Sequence, residues 1–280
     1  LVNKNKKMEP TKKVILITGA SAGMGKEFAK DLIKDGHIVY GAARRIDKMK
    51  DIQKLGAKII EMDVTDEESM VKGIQTIQNA EGRIDVLINN AGFGSFGAIE
   101  EVNMTDAHYQ LEVNVFGAAR LMQLVIPGMR EKHYGRIINI SSMGGKLAMP
   151  MAGWYHASKY AIEALSDSLR NEVRQFGIDV VVIEPGAVKS EWGDIAMDHL
   201  QNVSGKGAYS KLVTSLLKMN KDMEKKLSEP AVIGKLVQSA IAAKKPKTRY
   251  VGGYMAKPFM FMRWLLPDRM FDSAIQSQLK

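Results

Sequence analysis

Val14-Ile15-Leu16-Ile17-Thr18-Gly19-Ala20-Ser21-Ala22-Gly23-Met24-Gly25 is the stretch that decides the fold. Its first four residues are apolar, and Val14, Ile15 and Ile17 are β-branched. Such a run predicts a short strand buried on both faces, as in a parallel sheet. The glycines follow at once, and from 26 to 34 the residues Phe28, Ala29, Leu32 and Ile33 recur at helical spacing. Strand, glycine turn and helix in that order make a site for a pyrophosphate. Glycines let the backbone approach it, and the helix N-terminus offers free N–H groups and a favourable dipole. A tight βα turn with no ligand is the other reading of the same residues.

Working outward, the pattern repeats. Residues 37–43 form a second strand after the turn glycine Gly36. In such units an acid about 20 residues beyond the glycines usually holds the ribose hydroxyls of NAD. Here Ala43 stands at that place, followed by Arg44 and Arg45. Guanidinium groups without the acid favour a 2′-phosphate, hence NADP(H) over NAD(H). A short helix over 47–55 precedes a third strand at 57–62, closed by Asp63-Val64, and Thr65 or Asp66 caps a helix reaching about 79. Residues 84–88 form a fourth strand ending in Asn89-Asn90-Ala91-Gly92, and 136–140 a fifth ending in Ser141-Ser142. A sixth, 179–183, runs into Glu184-Pro185-Gly186, and Tyr250-Val251 starts a last short one. Strands alternating with helices mean right-handed crossovers and a parallel sheet, which binds ligands at its C-terminal edge.

Two long helices are predicted, over 106–130 and 153–176. The first contains Asn114, a poor mid-helix choice, so it is either a surface residue or a polar group placed at a site. The second contains Tyr155 and Lys159, four apart and therefore on one face. A phenol titrates near 10, and bringing it near 7 takes roughly 4 kcal/mol. One cation at about 4 Å and an effective dielectric near 20 supplies about that much. Tyr-x-x-x-Lys alone is common in helices, so its neighbours must decide its meaning.

Composition removes whole classes of function. The 280 residues are 45% hydrophobic and 25% charged, ample for a core. No cysteine is present, which excludes disulfides, thiolate metal sites and a cysteine nucleophile, and no metal site is expected. The net charge of +9 comes partly from Lys4, Lys6, Lys7, Lys12 and Lys13 and from Lys244, Lys245 and Lys247. No nucleic-acid motif accompanies it, so no nucleic-acid partner is expected, and the basic surface suits an anionic cofactor. Residues 1–12 read as a basic, disordered tail rather than a secretory signal, with Met8 an alternative start. No stretch has the length of a membrane span, and a cytoplasmic location is expected.

The motifs Thr18-Gly-x-x-x-Gly-x-Gly25, Asp63-Val64, Asn89-Asn-Ala-Gly92, Asn114, Ser142, Tyr155-x-x-x-Lys159 and Pro185-Gly186 occur in this order between about 14 and 190. Together they make the chain resemble the short-chain dehydrogenase/reductase family, in its single-domain branch of NAD(P)-dependent alcohol dehydrogenases and ketone reductases. The resemblance implies a Rossmann-type, doubly wound parallel sheet of about seven strands with helices on both faces. It assigns residues 13–254 to one catalytic domain, about 191–227 to a substrate lid, and 255–280 to an apolar and basic extension. Tyr155 would exchange a proton with the substrate oxygen, and Lys159 would lower the phenol's pKa and hold the nicotinamide ribose. Ser142 would bond the substrate oxygen, and Asn114 would hold a water linking Lys159 to solvent. Gly19, Ser21, Ala22, Gly23, Met24 and Gly25 would cradle the dinucleotide, with Asp63 and Val64 at the adenine and Asn90, Ala91 and Gly92 beside the ribose. Pro185, Gly186, Val188 and Ser190 would complete the nicotinamide site. Ser190 stands where the family usually has threonine, which keeps a hydroxyl.

Phe93, Met143, Leu147, Met149, Met151, Trp154 and Trp192 are candidates for an apolar substrate wall, with ordinary core packing as the alternative. The resemblance thus implies oxidoreduction of an apolar ketone or secondary alcohol, steroid- or retinoid-like. The competing readings are a 3-oxoacyl-thioester reductase and, from another class, a non-catalytic NADP-sensing protein. Such sensing proteins commonly lack the tyrosine or lysine, and all four catalytic positions are filled here. The segment 255–266 would close the pocket, pack on a partner or lie on a membrane surface, in that order of expectation. A homodimer or homotetramer through the two long helices is expected. If the arginines read the 2′-phosphate, Arg44→Asp shifts preference toward NAD in coenzyme titrations; an unchanged NADP affinity would refute the assignment.

Overall fold

The structure is a computed structural model in which residues 12–279 are described. Apart from Lys12, the tail expected over 1–12 lies outside the described residues. Val14–Thr18 (β1) is buried at every position, and its side chains divide between two cores. Val14 and Leu16 enter one core, Ile15 and Ile17 the other, because successive strand residues point to opposite faces. A run apolar on both faces therefore belongs in the middle of a layered structure.

The other strands are Ile38–Ala43 (β2), Lys58–Glu61 (β3), Val86–Asn89 (β4), Gly135–Ile140 (β5), Ile178–Pro185 (β6) and Arg249–Gly252 (β7). They form one sheet in the order β3-β2-β1-β4-β5-β6-β7, and every neighbouring pair is parallel. The winding reverses between β1 and β4, and their C-terminal ends flank the crevice where doubly wound sheets bind ligands.

The helices are Gly23–Lys34 (α1), Lys50–Lys54 (α2), Glu67–Glu81 (α3), Met104–Leu111 (α4), Gly117–Glu131 (α5), Gly153–Val173 (α6), Glu191–Ser204 (α7), Ser210–Met223 (α8), Pro230–Ala242 (α9), Ala256–Leu265 (α10) and Asp268–Ser277 (α11). Helices α1 and α9 cover one face through Phe28, Leu32, Ile233 and Val237. Helices α3, α5 and α6 cover the other through Ile74, Leu121 and Ile162. Asp66, not Thr65, caps α3, accepting from the N–H groups of Glu68 and Ser69. Gly117 lets α5 touch the turn after β3, since a Cβ there would lie 2.2 Å from the Val64 carbonyl oxygen.

The helix expected over 106–130 is not continuous. A widened π turn, Glu112–Phe116, separates α4 from α5 and contains Asn114. Its side chain is bonded to the backbone of Phe93, a pairing outside the helix that goes with the extra residue in the turn. Such bulges are frequent at functional sites.

Helices α7 and α8 pack around Leu200, Val213 and Leu216 over the end of the sheet. Helix α10 and its C-terminal cap turn Phe259, Met262 and Leu266 toward Leu147, Phe271 and Ile275, leaving Phe261, Trp264 and Leu265 exposed. Among the described residues, no helix is long and apolar enough to cross a membrane.

Candidate active site

The floor of the site is the turn from β1 into α1. Gly19 and Gly23 adopt φ of +67° and +51°, conformations that suit glycine. The turn is stitched to β4: Thr18 Oγ1 accepts the N–H groups of Asn90 and Ala91 at 3.1 Å, and Asn90 Nδ2 donates to Thr18 O at 2.9 Å. A Cβ on Gly19 would sit 2.9 Å from Ala91 Cα, and one on Gly25 would sit 2.4 Å from Asn90 Nδ2. Helix α1 begins at Gly23, and its cap residue Ala22 supplies no side-chain hydrogen bond. Its first-turn N–H groups thus retain capacity for an anion.

A cavity of about 740 Å³ extends from this turn along the C-terminal ends of the strands. Every sequence-predicted site residue lines it except Gly25, Asn114 and Trp154. Gly25 is packed under Asn90, where its lack of a side chain permits the close approach. Trp154 precedes Tyr155 by one helical step, a rotation of about 100°, and so leaves the substrate wall. At the far rim, Arg45 Nη2 donates to Ser21 Oγ at 3.3 Å, and Arg44 Nη1 donates to the Tyr109 hydroxyl at 2.7 Å. Asp63 Oδ1 accepts from the Thr65 N–H at 2.9 Å, which fixes the turn beyond β3. This rim and the glycine cradle fit a phosphorylated dinucleotide. Among the described residues, no group of His, Asp and Glu is placed to hold a metal.

At the other end, Ser142, Tyr155 and Lys159 meet. The Tyr155 ring packs 5.7 Å from Phe96 and 5.0 Å from Trp192, centroid to centroid. Lys159 is 8% exposed; its Nζ donates to Ile140 O at 2.9 Å and lies 5.8 Å from the Tyr155 ring centre. Asn114 lies behind them. Its Oδ1 accepts the Phe93 N–H at 3.0 Å, and its Nδ2 donates to Phe93 O at 2.9 Å and Ser158 Oγ at 3.0 Å. Ser158 in turn donates to Tyr155 O at 2.7 Å. The π turn is thereby tied to the loop after β4 and to the helix of Tyr155.

The sequence leads one to expect a phenol pKa lowered by lysine, and the geometry has a different balance. Burial pushes Tyr155 up to about 12, with Ser142 pulling the other way. Burial also brings Lys159 down to about 8, against the pull of Glu163. Desolvation disfavours the charged form of each group, and here it outweighs the Ser142 hydrogen bond on one and the Glu163 charge on the other.

His156 is a site residue that the sequence reading missed. Its Nε2 accepts the Met149 N–H at 3.0 Å, so the proton is on Nδ1, which donates to Gly144 O at 2.9 Å. Burial lowers its pKa and keeps this tautomer neutral. The imidazole clamps the loop after Ser142 at two points. Its place next to Tyr155 was visible in the sequence, but no spacing rule marked it. Met197, Leu200, Leu216, Met219 and Met223, from the stretch expected to be the lid, also line the cavity, and so does Phe96, which had no distinguishing pattern.

Comparison with known proteins agrees with this geometry. Residues 13–199 match the family model described as short chain dehydrogenase. The chain is 35% identical over 271 residues to 3-ketodihydrosphingosine reductase of Bacteroides thetaiotaomicron, covering 96% of this chain and 98% of that one. It is 34% identical over 276 residues to NADPH-dependent 3-dehydrocapnine reductase of Ornithobacterium rhinotracheale, covering 95% and 96%. The crystal structure of a short-chain dehydrogenase from Streptomyces avermitilis superposes with a TM-score of 0.79 at 33% identity, covering 92% and 93%.

The lysine carries a testable cost. With its pKa at about 8 in the folded state and 10.5 otherwise, the penalty for its charge is full below about pH 8 and fades toward 10.5. Stability should therefore rise with pH across that window. Lys159→Met removes the penalty but leaves Ile140 O unpaired, for a net gain of up to about 2 kcal/mol at pH 7 that shrinks by pH 10. Urea unfolding at both pH values checks it, and a gain independent of pH contradicts it.

Proposed function

The chain belongs to the short-chain dehydrogenase/reductase family, oxidoreductases acting on CH–OH and carbonyl groups, and from that premise we propose that it reduces an apolar ketone with NADPH. The observation that carries this reading is the convergence of Ser142, Tyr155 and Lys159 on a cavity whose wall includes Phe93, Phe96, Trp192 and several methionines. When bound, the nicotinamide supplies the hydride. The chain's own residues manage the oxygen. Tyr155 O–H donates the proton that turns the carbonyl into an alcohol, and Ser142 O–H is a second donor that stabilises alkoxide character as it develops. A phenol held at about 12 keeps its proton through neutral pH and is therefore present as the acid that reduction requires. Lys159 would hold the nicotinamide ribose and add positive charge beside Tyr155. Asn114, bonded to Phe93 and Ser158, would fix the proton path behind them.

The preference for NADPH over NADH rests on Arg44 and Arg45 at the rim, where Arg45 already reaches Ser21. A relative named NADPH-dependent agrees with it. For the substrate, Met143, Met149, Met151, Met197, Met219 and Met223 form an adaptable wall. Thioethers that repack suit an extended aliphatic chain better than a rigid ring system, which narrows the steroid- or retinoid-like expectation. Two relatives are named as reductases of 3-keto or 3-dehydro compounds, in keeping with a chain ketone. The test is a panel of ketones and alcohols of increasing chain length with NADPH and NADP+, followed at the nicotinamide absorbance. Activity should rise with chain length, and Tyr155→Phe should abolish turnover while leaving coenzyme binding near normal. Full activity in that variant would overturn the mechanism, and tight NADPH binding with no turnover on any carbonyl would favour a sensing protein.

The same reading assigns self-association to the outer faces of the π turn and α6, where Phe116, Tyr160 and Leu165 are exposed. Sedimentation velocity should give a dimer or tetramer that Phe116→Asp dissociates; a wild-type monomer at micromolar concentration would exclude it.

A further inference from the structure

Beneath the site lies a buried charge cluster that the proposed chemistry does not use. Glu163 stands one turn beyond Lys159 on α6, and Glu184 precedes Pro185 on β6; they are 3% and 0% exposed. Arg249 of β7 reaches both, with Nη2 2.9 Å from Glu163 Oε2 and Nε 3.3 Å from Glu184 Oε1. Lys146, four residues after Ser142, places its Nζ 2.9 Å from the same Glu163 oxygen. Asp167 holds Arg249 from its outer side at 2.7 Å, and Arg170 holds Asp167 at 2.6 Å.

Burying such groups costs several kcal/mol per ion, so a cluster of this kind is weak evidence for stability and needs another reason. Its connections suggest one. Lys146 belongs to the loop that carries Ser142, and the backbone of that loop presses on the cluster. A Cβ on Gly145 would lie 3.0 Å from Glu163 Cγ and 2.6 Å from Ser141 Oγ. Glu163 shares a helix face with Lys159 and acts on its charge. Glu184 is covalently next to the Pro185-Gly186 turn that lines the cavity.

We propose that Lys146, Glu163, Glu184 and Arg249 form a positioning device that sets the Ser142 loop against the Tyr155–Lys159 helix and the Pro185 turn. It rests on the roles proposed above for Ser142 and Tyr155. His156 clamps the loop from within the cavity, and the Lys146–Glu163 bond latches it from below. Arg249 keeps Glu163 from turning toward Lys146 alone, because it is itself anchored by Asp167 on the opposite side. Burial, and then the neighbouring Glu163, raise the pKa of Glu184, against Lys146 and Arg249. Glu184 therefore keeps its proton to higher pH than an ordinary carboxyl, and while it does so it adds no charge beside Glu163. Loss of that proton places two carboxylates side by side under the loop and loosens it.

Lys146→Met tests the latch, since its side chain is partly exposed and its removal spares the core. It should lower kcat about 10- to 100-fold, the loss expected when a donor is displaced by about 1 Å, with KM for NADPH nearly unchanged. Lys146→Arg should restore most of the rate. Glu184→Gln keeps a neutral group in place and should remove the alkaline fall in kcat that loss of the Glu184 proton causes. Wild-type kcat in Lys146→Met, or an unaltered pH profile in Glu184→Gln, overturns the proposal. Tyr155→Phe, assayed beside them, separates the two readings. If it is inactive while Lys146→Met is fully active, only the positioning role falls; if it is active, the proposed mechanism falls with it.

Discussion

The close approach of the first glycine turn to the end of β4 is the constraint on which the rest of the structure depends. One hydroxyl, Thr18 Oγ1, accepts two backbone N–H groups from Asn90 and Ala91, and one amide, Asn90 Nδ2, returns a bond to Thr18 O. These bonds hold together the two strands between which the winding of the sheet reverses. Side chains at Gly19 or Gly25 would prevent the approach by direct overlap with Ala91 or Asn90. From this junction the helix N-terminus of α1, the loop after β4 and the ends of β5 and β6 all reach one cavity.

The Tyr155 end of the cavity is built on buried polarity that is costly in isolation. Lys159 is withdrawn from water and bonded to the carbonyl of Ile140, and Asn114 is held within a helix only because the chain widens into a π turn there. Each such group has its partners supplied by a neighbouring element: Phe93 and Ser158 for Asn114, Gly144 and Met149 for His156, Lys146 and Arg249 for Glu163. Bonds of this kind contribute little net stability, but leaving any partner unpaired costs more. The arrangement therefore specifies position more than it adds to stability.

The end of the cavity under α7 and α8 is governed by softer forces. Helices α7 and α8 rest on a small core of Leu200, Val213 and Leu216, and methionines supply much of the cavity wall. Segments with few buried contacts open at lower cost than the sheet does. The C-terminal helices extend this layer, since α10 and α11 pack on Leu147 from the loop after Ser142. The loop after Ser142 and the C-terminal helices thus share one small apolar core.

The parallel sheet was legible because its strands are apolar on both faces, as in Val14 to Ile17, and because glycines mark where β1 ends. The pairing of Tyr155 with Lys159 was legible because residues four apart in a helix share a face. Family membership followed from several such local patterns in a fixed order, each written in neighbouring residues. Other features depended on distances across the fold. The π turn at Asn114 arises from bonds to Phe93, 21 residues away, and the loop clamp by His156 depends on where Gly144 and Met149 are brought. Trp154 leaves the cavity while Trp192 enters it, a difference set by helix rotation and by the folding back of α7. The sequence by itself determined which residues could carry the chemistry, since periodicity and spacing are local. Only the tertiary structure decided the direction in which their pKa values move, because burial of Tyr155 and Lys159 depends on every element packed around them.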